Sequence, residues 1–458
     1  MQPLLAIAWL TWKAAFRFRL FLVVAVLLLG AVVGLPILIK DDGTARGFTQ
    51  IVLTYTLSSI TALLGLSTLW LACGTLARDI EDCTLQVVAI KPITRWQIWL
   101  GKWLGIMSLN AALLGISGIG IYSLLQVRAT RLPAAEQKIL RSEVLVSRGS
   151  VKPANHAREI QEETDRLLRE RLQQNPGLNA SILEARKQIL EQVKAEYQIV
   201  PPDWAHEWHV DLSSAQDLAR GQPVHLRIKF NAADKTASGT FNGIWRVGEP
   251  GKTPLWHSEV MSLAPDTFHE FEAPANYDGN GVLTVTFANA NNTALLFPLE
   301  DGLEVLYRQG GFGLNFARGL GIIFCWMALL ATLGLASASF LSFPVAAFLS
   351  LGVLTLALSS GTIAGAVSDG TLVGFDSANS RMGHSPVDLV AIPLFRAVLG
   401  LINLAKNFSP IDSLSTGRSV SWGELARAFG QIVVLLGGII GLAGIFVFSR
   451  RELATAHE

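Results

Sequence analysis

The residues best suited to act on a partner lie in one charged segment of the sequence, residues 78–102. Seven of them have types and spacing that form a candidate interface: Asp79, Glu81, Asp82, Thr84, Leu85, Pro92 and Arg95. Carboxylates beside the first turn of a helix offset the helix dipole, and a proline ends a helix. The pattern predicts a short amphipathic helix over about residues 80–95, lying on the membrane surface and offered to a partner. A plain connector between two membrane spans is the alternative.

Each part of this segment has an expected role. Glu81 and Asp82 are expected at the first turn of the short helix, where they can also meet basic groups of a partner. Pro92 is expected to end the helix, because proline has no N–H to donate. Arg95 is expected at the level of the lipid headgroups, paired with a lipid phosphate or with the acidic cluster.

The residues that resemble catalytic or cofactor-binding motifs do not have the spacing that those motifs require. Residues 248–253 suggest a phosphate-binding loop, but the glycine required five residues before Gly251 is Arg246. A turn between strands is therefore predicted there. The three cysteines, Cys73, Cys83 and Cys325, provide neither a disulfide framework nor a Cys/His metal pattern. We expect no catalytic, cofactor-binding or metal-binding residue in this chain, and no ATP hydrolysis by the chain alone.

Two further groups of residues have a functional and a structural interpretation. His206 and His209 could bind a metal, but residues three apart on a strand point to opposite faces. Ordinary histidines of a strand or loop are the favoured interpretation. The tryptophans of the same region could stack on sugars, although aromatic side chains in a sheet more often belong to the core. They are Trp204, Trp208, Trp245 and Trp256.

The composition is that of a membrane protein with a polar insert. Of 458 residues, 50% are hydrophobic and 16% are charged, and the mean hydropathy is +0.40. The net charge of +1 excludes a basic nucleic-acid binder. Residues 127–317 contain 20 basic and 24 acidic residues, more than half of all the charges. Two apolar parts thus flank an insert that is suited to water.

Six apolar stretches are long enough to cross a bilayer core of about 30 Å. They are residues 20–39, 51–77, 103–125, 319–341, 344–367 and 432–448, each free of Asp, Glu, Lys, Arg and His. A further stretch, 387–405, contains Pro393 and Arg396 and is predicted to be re-entrant or interfacial. Residues 1–19 are predicted to be an interfacial amphipathic helix. The basic residues favour a cytoplasmic side for both termini and place the insert outside.

The insert is predicted to be an α+β domain. Its first part, 127–203, contains helical patterns at 159–171 and 183–197. The second part, 204–311, alternates polar and apolar residues at 224–230, 241–247, 269–273, 282–289 and 303–307. Short strands at this spacing predict a β-sandwich. The fold class is therefore a polytopic α-helical membrane protein of six transmembrane helices with an inserted extracytoplasmic domain.

The stretch RDIEDCTLQVVAIKPITRWQIWLGKWLG, residues 78–105, resembles the cytoplasmic signature of ABC-2 type permeases, the membrane subunits of a class of ABC transporters. In that family this loop is a coupling helix that docks into a separate ATPase. The resemblance implies that Glu81 and Asp82 form the acidic entry. It also implies that Thr84 and Leu85 form the helix start and that Pro92 and Arg95 form the exit. Cys83 stands where a glycine is common in the family.

The resemblance implies a non-catalytic permease subunit in the bacterial inner membrane. Its expected partners are two copies of a cytoplasmic ABC ATPase, which would bind the ATP and Mg, a second permease copy or homologue, and membrane lipid. An external protein or glycan partner is also considered, and no nucleic acid is expected. An ATPase-driven envelope machine, whose external β-sandwich binds a partner or glycan without transport, is one alternative. A membrane-anchored binding protein without an ATPase is the other.

Overall fold

The computed structural model describes residues 2–17, 20–38, 44–82, 93–154, 156–174, 182–219, 221–233, 239–369, 375–376, 381–382, 387–406 and 408–451. The chain divides into two compact units. The helical unit consists of Met1–Val146 and Gly311–Glu458, and the β module consists of Ser147–Gly310.

The described helices are numbered in chain order. They are α1 (Gln2–Arg17), α2 (Leu20–Leu38), α3 (Ala45–Glu81), α4 (Arg95–Arg131), α5 (Ala134–Glu143), α6 (Ala157–Gln174), α7 (Ile182–Gln198), α8 (Gln216–Ala219), α9 (Phe312–Ala338), α10 (Phe343–Leu358), α11 (Ser360–Asp369), α12 (Asp388–Lys406), α13 (Pro410–Ser415), α14 (Trp422–Ala428) and α15 (Gly438–Arg450). A π-helical stretch, Phe429–Gly437, connects α14 to α15.

Five described stretches of the helical unit are long and apolar enough to cross a membrane: residues 46–81, 95–131, 312–338, 388–415 and 422–450. A sixth is obtained if α10 and the following residues 360–367, bent by 58°, count as one span. The predicted spans 51–77, 103–125 and 432–448 lie within these stretches. The predicted span 319–341 overlaps residues 312–338 and ends three residues later, and 344–367 corresponds to the bent pair. Residues 20–39 correspond to the shorter helix α2. The stretch 387–405, predicted to be re-entrant or interfacial, corresponds to α12. Together with α13 it is long and apolar enough to cross a membrane.

Helices α3 and α4 are longer than the predicted spans. Each has 37 residues, or about 55 Å at 1.5 Å per residue, against a bilayer core of about 30 Å. Thr44 caps the start of α3 by accepting a hydrogen bond from the N–H of Gly47. The N–H of Thr94 donates to Oε1 of Gln97 at the start of α4. Both helices can therefore carry their charged ends beyond the hydrocarbon.

Helix α1 packs along the first turns of α4. A Cβ atom on Gly101 would lie 2.7 Å from Cβ of Ile7, and one on Gly105 would lie 2.6 Å from Cβ of Thr11. Only glycine permits this approach of the two backbones. The indole of Trp12 donates to Oγ of Ser108 at 2.7 Å. One face of the predicted interfacial helix 1–19 is thus covered by α4, while its place at the membrane surface stays a prediction.

The described strands are β1 (Val146–Val151), β2 (Ile199–Val200), β3 (Ala205–Asp211), β4 (Val224–Ile228), β5 (Asn231–Ala232), β6 (Phe241–Val247), β7 (Trp256–His257), β8 (Met261–Leu263), β9 (His269–Ala273), β10 (Val282–Asn289), β11 (Leu295–Leu296), β12 (Leu303–Gly311), β13 (Phe375–Asp376) and β14 (Arg381–Met382). All predicted strands are confirmed, as β4, β6, β9, β10 and β12. The predicted helices 159–171 and 183–197 are confirmed as α6 and α7.

Two larger sheets build the β module. One has the order β1-β12-β4-β9, and the other has the order β3-β10-β6-β7, with β8 also paired to β6. Strands β2, β11 and β5 form a third, smaller sheet. One hydrophobic core contains Leu226 and Val305 from the first sheet and Trp245 and Val285 from the second. The apolar positions at every second residue therefore face a common interior.

The opposite face of the four-stranded sheet buries charged side chains. Arg148 of β1 forms an ion pair with Glu270 of β9. A guanidinium nitrogen of Arg227 lies 3.7 Å from a carboxylate oxygen of Glu304. Buried charges are tolerated when they are paired. Strand β1 was not predicted, because its sequence VSRGSV has no apolar alternation.

Candidate functional site

The charged residues of the predicted interface gather where several helices of the helical unit end. We call Asp79, Glu81, Arg95, Lys102 and Arg451 the helix-end cluster. Asp79 and Glu81 belong to the last turn of α3, and Arg95 is the first residue of α4. Glu81 and Asp82 were expected at the start of a surface helix, but they lie instead at the C-terminal end of α3. A carboxylate at a helix C-terminus is unfavourable with respect to the helix dipole, so these groups need other partners.

Asp79 is paired with a buried lysine. The ammonium of Lys102 lies 2.5 Å from Oδ2 of Asp79 and 2.7 Å from the carbonyl oxygen of Thr75. The side chain of Lys102 is only 8% exposed, whereas that of Asp79 is 45% exposed. A buried ammonium without a counter-charge is strongly unfavourable. The pair therefore fixes the last turns of α3 against the second turn of α4.

Glu81 caps a helix that is distant in sequence. Its Oε1 accepts a hydrogen bond of 2.9 Å from the backbone N–H of Phe343, 262 residues away. Phe343 is the first residue of α10. A carboxylate at a helix N-terminus satisfies a free N–H and is stabilised by the helix dipole. The end of α3 thus holds the start of α10.

Arg95 caps the C-terminal end of α15. Its Nη1 lies 3.2, 2.9 and 2.6 Å from the carbonyl oxygens of Phe448, Ser449 and Arg451. These carbonyls belong to the end of α15, where a cation is favourable. Arg95 was expected to pair with a lipid phosphate or with the acidic cluster. In the structure its guanidinium binds backbone carbonyls instead.

Arg451 extends the arrangement to α9. Its Nη1 donates to the carbonyl oxygen of Ser339, just after the end of α9, at 3.1 Å. Charged side chains at one end of the helical unit thus connect α3 to α4 and α10, α4 to α15, and α15 to α9. Residues 82–94 join α3 to α4 at this end.

The other predicted interface residues have different outcomes. Asp82 is the exposed C-cap of α3, and its N–H donates to the carbonyl oxygen of Arg78. Thr84, Leu85 and Pro92, and with them the predicted amphipathic helix, lie outside the described residues. Sequence reasoning missed the partners Lys102, Phe343 and Arg451. The sequence contains no signal for the burial of Lys102, because a lysine at the end of an apolar span ordinarily extends its ammonium to the headgroups.

Neutral polar side chains connect the described helices in the interior. Oγ1 of Thr68 donates to Oδ1 of Asn110 at 3.1 Å, which joins α3 to α4. The indole of Trp103 donates to Oγ1 of Thr332 at 2.9 Å, which joins α4 to α9. Hydrogen bonds between membrane helices stabilise their contacts modestly. These contacts fix the register of the helices.

Two sequence motifs of the β module, residues 248–253 and the pair His206 and His209, lie in a turn and on a strand. Residues 248–253 form the turn between β6 and β7, where the ammonium of Lys252 lies 2.6 Å from Glu249. The side chain of His206 is half-buried on β3, and His209 is exposed on the other face. The described part of the chain holds no group of three or more His, Cys, Asp or Glu side chains suited to a metal.

The four tryptophans do not share one surface. Trp245 is fully buried, and the ring of Trp208 stacks on it with centroids 6.0 Å apart. Trp204, in contrast, is 68% exposed. Most of this aromatic surface therefore belongs to the core.

No family model matches the chain, and neither the curated proteins nor the solved structures contain a match.

Proposed function

We propose that this chain is the permease subunit of an ABC transporter and that residues 82–94 receive the motion of a separate cytoplasmic ATPase. The single observation that carries the proposal is the position of the helix-end cluster. Glu81 and Arg95 border this loop closely and cap two other helices, α10 and α15. The resemblance of residues 78–105 to the ABC-2 signature supports the same assignment.

The length of α4 supports opposite membrane sides for the loop and the insert. Its ends, Arg95 and Arg131, are separated by about 55 Å, which exceeds the bilayer core. Basic residues near Arg95 favour the cytoplasmic side of a bacterial inner membrane for the loop and for both termini. The insert then lies outside. The core shared by the two larger sheets supports its description as a β-sandwich.

The substrate is moved across or out of the inner membrane, and a second copy of the permease completes the assembly. ATP and Mg bind to the ATPase partner. The spans predicted from sequence contain no Asp, Glu, Lys, Arg or His, which favours an external energy source over ion coupling. The alternative envelope machine uses the same ATPase but moves no substrate.

The test uses the full-length chain, purified with an affinity tag from its native membrane in mild detergent. ATP hydrolysis should co-purify with the wild-type chain. Asp82→Lys should lower the co-purified hydrolysis at least about tenfold, the equivalent of about 1.4 kcal/mol, because Asp82 is exposed beside the loop. The matched control is Asp412→Lys, an exposed carboxylate in the first turn of α13. Equal hydrolysis with both variants, or none with the wild type, would contradict the proposal.

A further inference from the structure

A small cavity lies in the helical unit between α1, α2, α3 and α4. Helix α1 contributes Ala15 to its wall and α2 contributes Val24, while its polar side chains are Ser67 and Thr68 of α3 and Asn110 of α4. The space open to the centre of a water molecule is about 20 Å³. One buried water needs about 10–15 Å³ of such space. The cavity therefore has room for a single water molecule.

The side-chain amide of Asn110 is only half paired within the described residues. Asn110 is 3% exposed, and its Oδ1 accepts a hydrogen bond of 3.1 Å from Oγ1 of Thr68. Its Nδ2 is buried and has no hydrogen-bond partner among the described residues. Buried donors in proteins are nearly always paired, either with protein groups or with ordered water. An acceptor for Nδ2 is therefore expected in the cavity that Asn110 lines.

The two hydroxyl groups of the cavity offer acceptors and no donor. Oγ of Ser67 donates to the carbonyl oxygen of Leu64 at 3.0 Å, and Oγ1 of Thr68 donates to Asn110. The sulfur of Met327, 3.8 Å from Oγ1 of Thr68, is a weaker acceptor than this amide. A hydroxyl group has one proton and two lone pairs, so each oxygen keeps only lone pairs for a further partner. A molecule bound here accepts from Asn110 and donates to the two hydroxyl oxygens.

The depth of the cavity separates it from the lipid headgroups. Asn110 lies eight residues after Lys102 on α4, which is about 12 Å along the helix, and it belongs to the predicted span 103–125. Bulk water does not hydrate polar groups in the hydrocarbon region. A lipid tail has no acceptor for the amide N–H. Water has the required pattern of one acceptor and two donors, and a buried water typically makes about three hydrogen bonds.

We propose that this cavity binds one structural water molecule, which accepts a hydrogen bond from Nδ2 of Asn110 and donates to the hydroxyl oxygens of Ser67 and Thr68. The water adds a second polar connection between α3 and α4 to the direct bond of Thr68 with Asn110. It lies where α1 and α2 meet this pair of helices. The site is independent of the proposed ATPase partner, because every group that binds the water lies in the interior of the helical unit.

The test detects the water in the full-length chain in lipid nanodiscs. X-ray radiolysis converts water to hydroxyl radicals, which oxidise the side chains beside it, and mass spectrometry locates the oxidised residues. Leu109 and Leu113 line the cavity and should be oxidised in the wild-type chain although both are buried. Leu57 on α3 and Leu125 on α4 are buried outside the cavity wall and should stay unmodified.

Variants on two walls of the cavity test the binding site itself. Asn110→Leu removes the amide donor and should abolish the oxidation of Leu109 and Leu113. Ala15→Val fills the cavity from α1, leaves the amide in place and should abolish the same oxidation. Asn110→Ser retains an O–H donor and should keep it. In each variant, unmodified Leu57 and Leu125 report intact packing.

Two results overturn the proposal. One is a wild-type chain in which Leu109 and Leu113 stay as unmodified as Leu57 and Leu125, which would show that the cavity is dry. The other is wild-type oxidation of Leu109 and Leu113 in Ala15→Val or in Asn110→Leu, which would show that the radicals come from another place.

Discussion

At the residue scale, the charged side chains of the helix-end cluster have different kinds of partner. Lys102 is buried and depends on Asp79 and on a carbonyl oxygen. Arg95 and Glu81 bind backbone groups at helix ends, where the partial charges of the helix favour them. Charge-assisted hydrogen bonds of this kind are worth about 1.5–3 kcal/mol each. A side chain that caps a distant helix therefore stabilises the end of that helix and also fixes its position relative to the helix that carries the side chain.

One residue of the β module, His206, is placed where its protonation opposes folding. The imidazole of His206 lies beside Trp208, with ring centroids 4.5 Å apart. Burial of the ring, and to a lesser degree the charge of His156, lower the pKa of His206 below its ordinary value of 6.5. The folded state therefore binds this proton more weakly than the unfolded state. The stabilisation is present above pH 6.5 and is lost as the pH falls below that value.

We expect residues 147–310, expressed alone, to lose stability when the pH is lowered from about 7 to about 5. His206→Gln should flatten this dependence by removing the titrating group. His209→Gln, on the exposed face of the same strand, should keep it. Urea denaturation followed by tryptophan fluorescence gives the free energy of unfolding. A dependence that survives in His206→Gln at full size would show that another group causes it.

At the element scale, the contact between α1 and α4 depends on glycines. Gly105→Ala places a Cβ atom 2.6 Å from Cβ of Thr11 and should destabilise the chain by about 1–3 kcal/mol through overpacking. Gly115→Ala, on the same helix with nothing within 4 Å, should be neutral or stabilising by up to about 1 kcal/mol. Thermal unfolding in detergent measures both. Equal effects of the two variants would show that α1 does not rest on α4.

Helices and strands could be predicted from the sequence where the local pattern of apolar residues shows which side chains are buried. Strands such as β4 and β10 have apolar residues facing one interior, and the apolar spans need no distant information. Strand β1 escaped prediction because Arg148 and its neighbours are polar, and the burial of Arg148 is explained by its pairing with Glu270, which is distant in sequence. The helix-end cluster escaped for a related reason. Phe343 lies 262 residues from Glu81, and Arg451 lies 356 residues from Arg95, so local spacing contains no trace of either contact.

The ends of α3 and α4 show a second limit of sequence reasoning. The sequence predicts that Glu81 lies at the start of a separate surface helix and that the basic, aromatic stretch with Arg95 and Lys102 leads into the next span. In the structure they continue the two long helices, since a helix does not end where the hydrocarbon ends. The positions of the charged residues limit the apolar span, but they do not determine where the helix ends.

At the scale of the whole molecule, the proposed function requires that one end of the helical unit meets a cytoplasmic ATPase. The charges at this end tie α3, α4, α9, α10 and α15 together. A partner that docks on residues 82–94 would therefore act on the helical unit as a set of connected helices. Its contact with the chain must lie near Asp82 and far from the opposite end of α4.

Site-specific photo-crosslinking in living cells tests this contact most directly. A photoreactive amino acid replaces Asp82, exposed beside the loop, or Val127, exposed near the other end of α4. Position 82 should cross-link to a cytoplasmic protein that binds ATP, identified by mass spectrometry and by nucleotide labelling, and position 127 should not. No ATP-binding product at position 82, or the same product at both positions, would contradict the assignment of this chain as an ATPase-coupled permease.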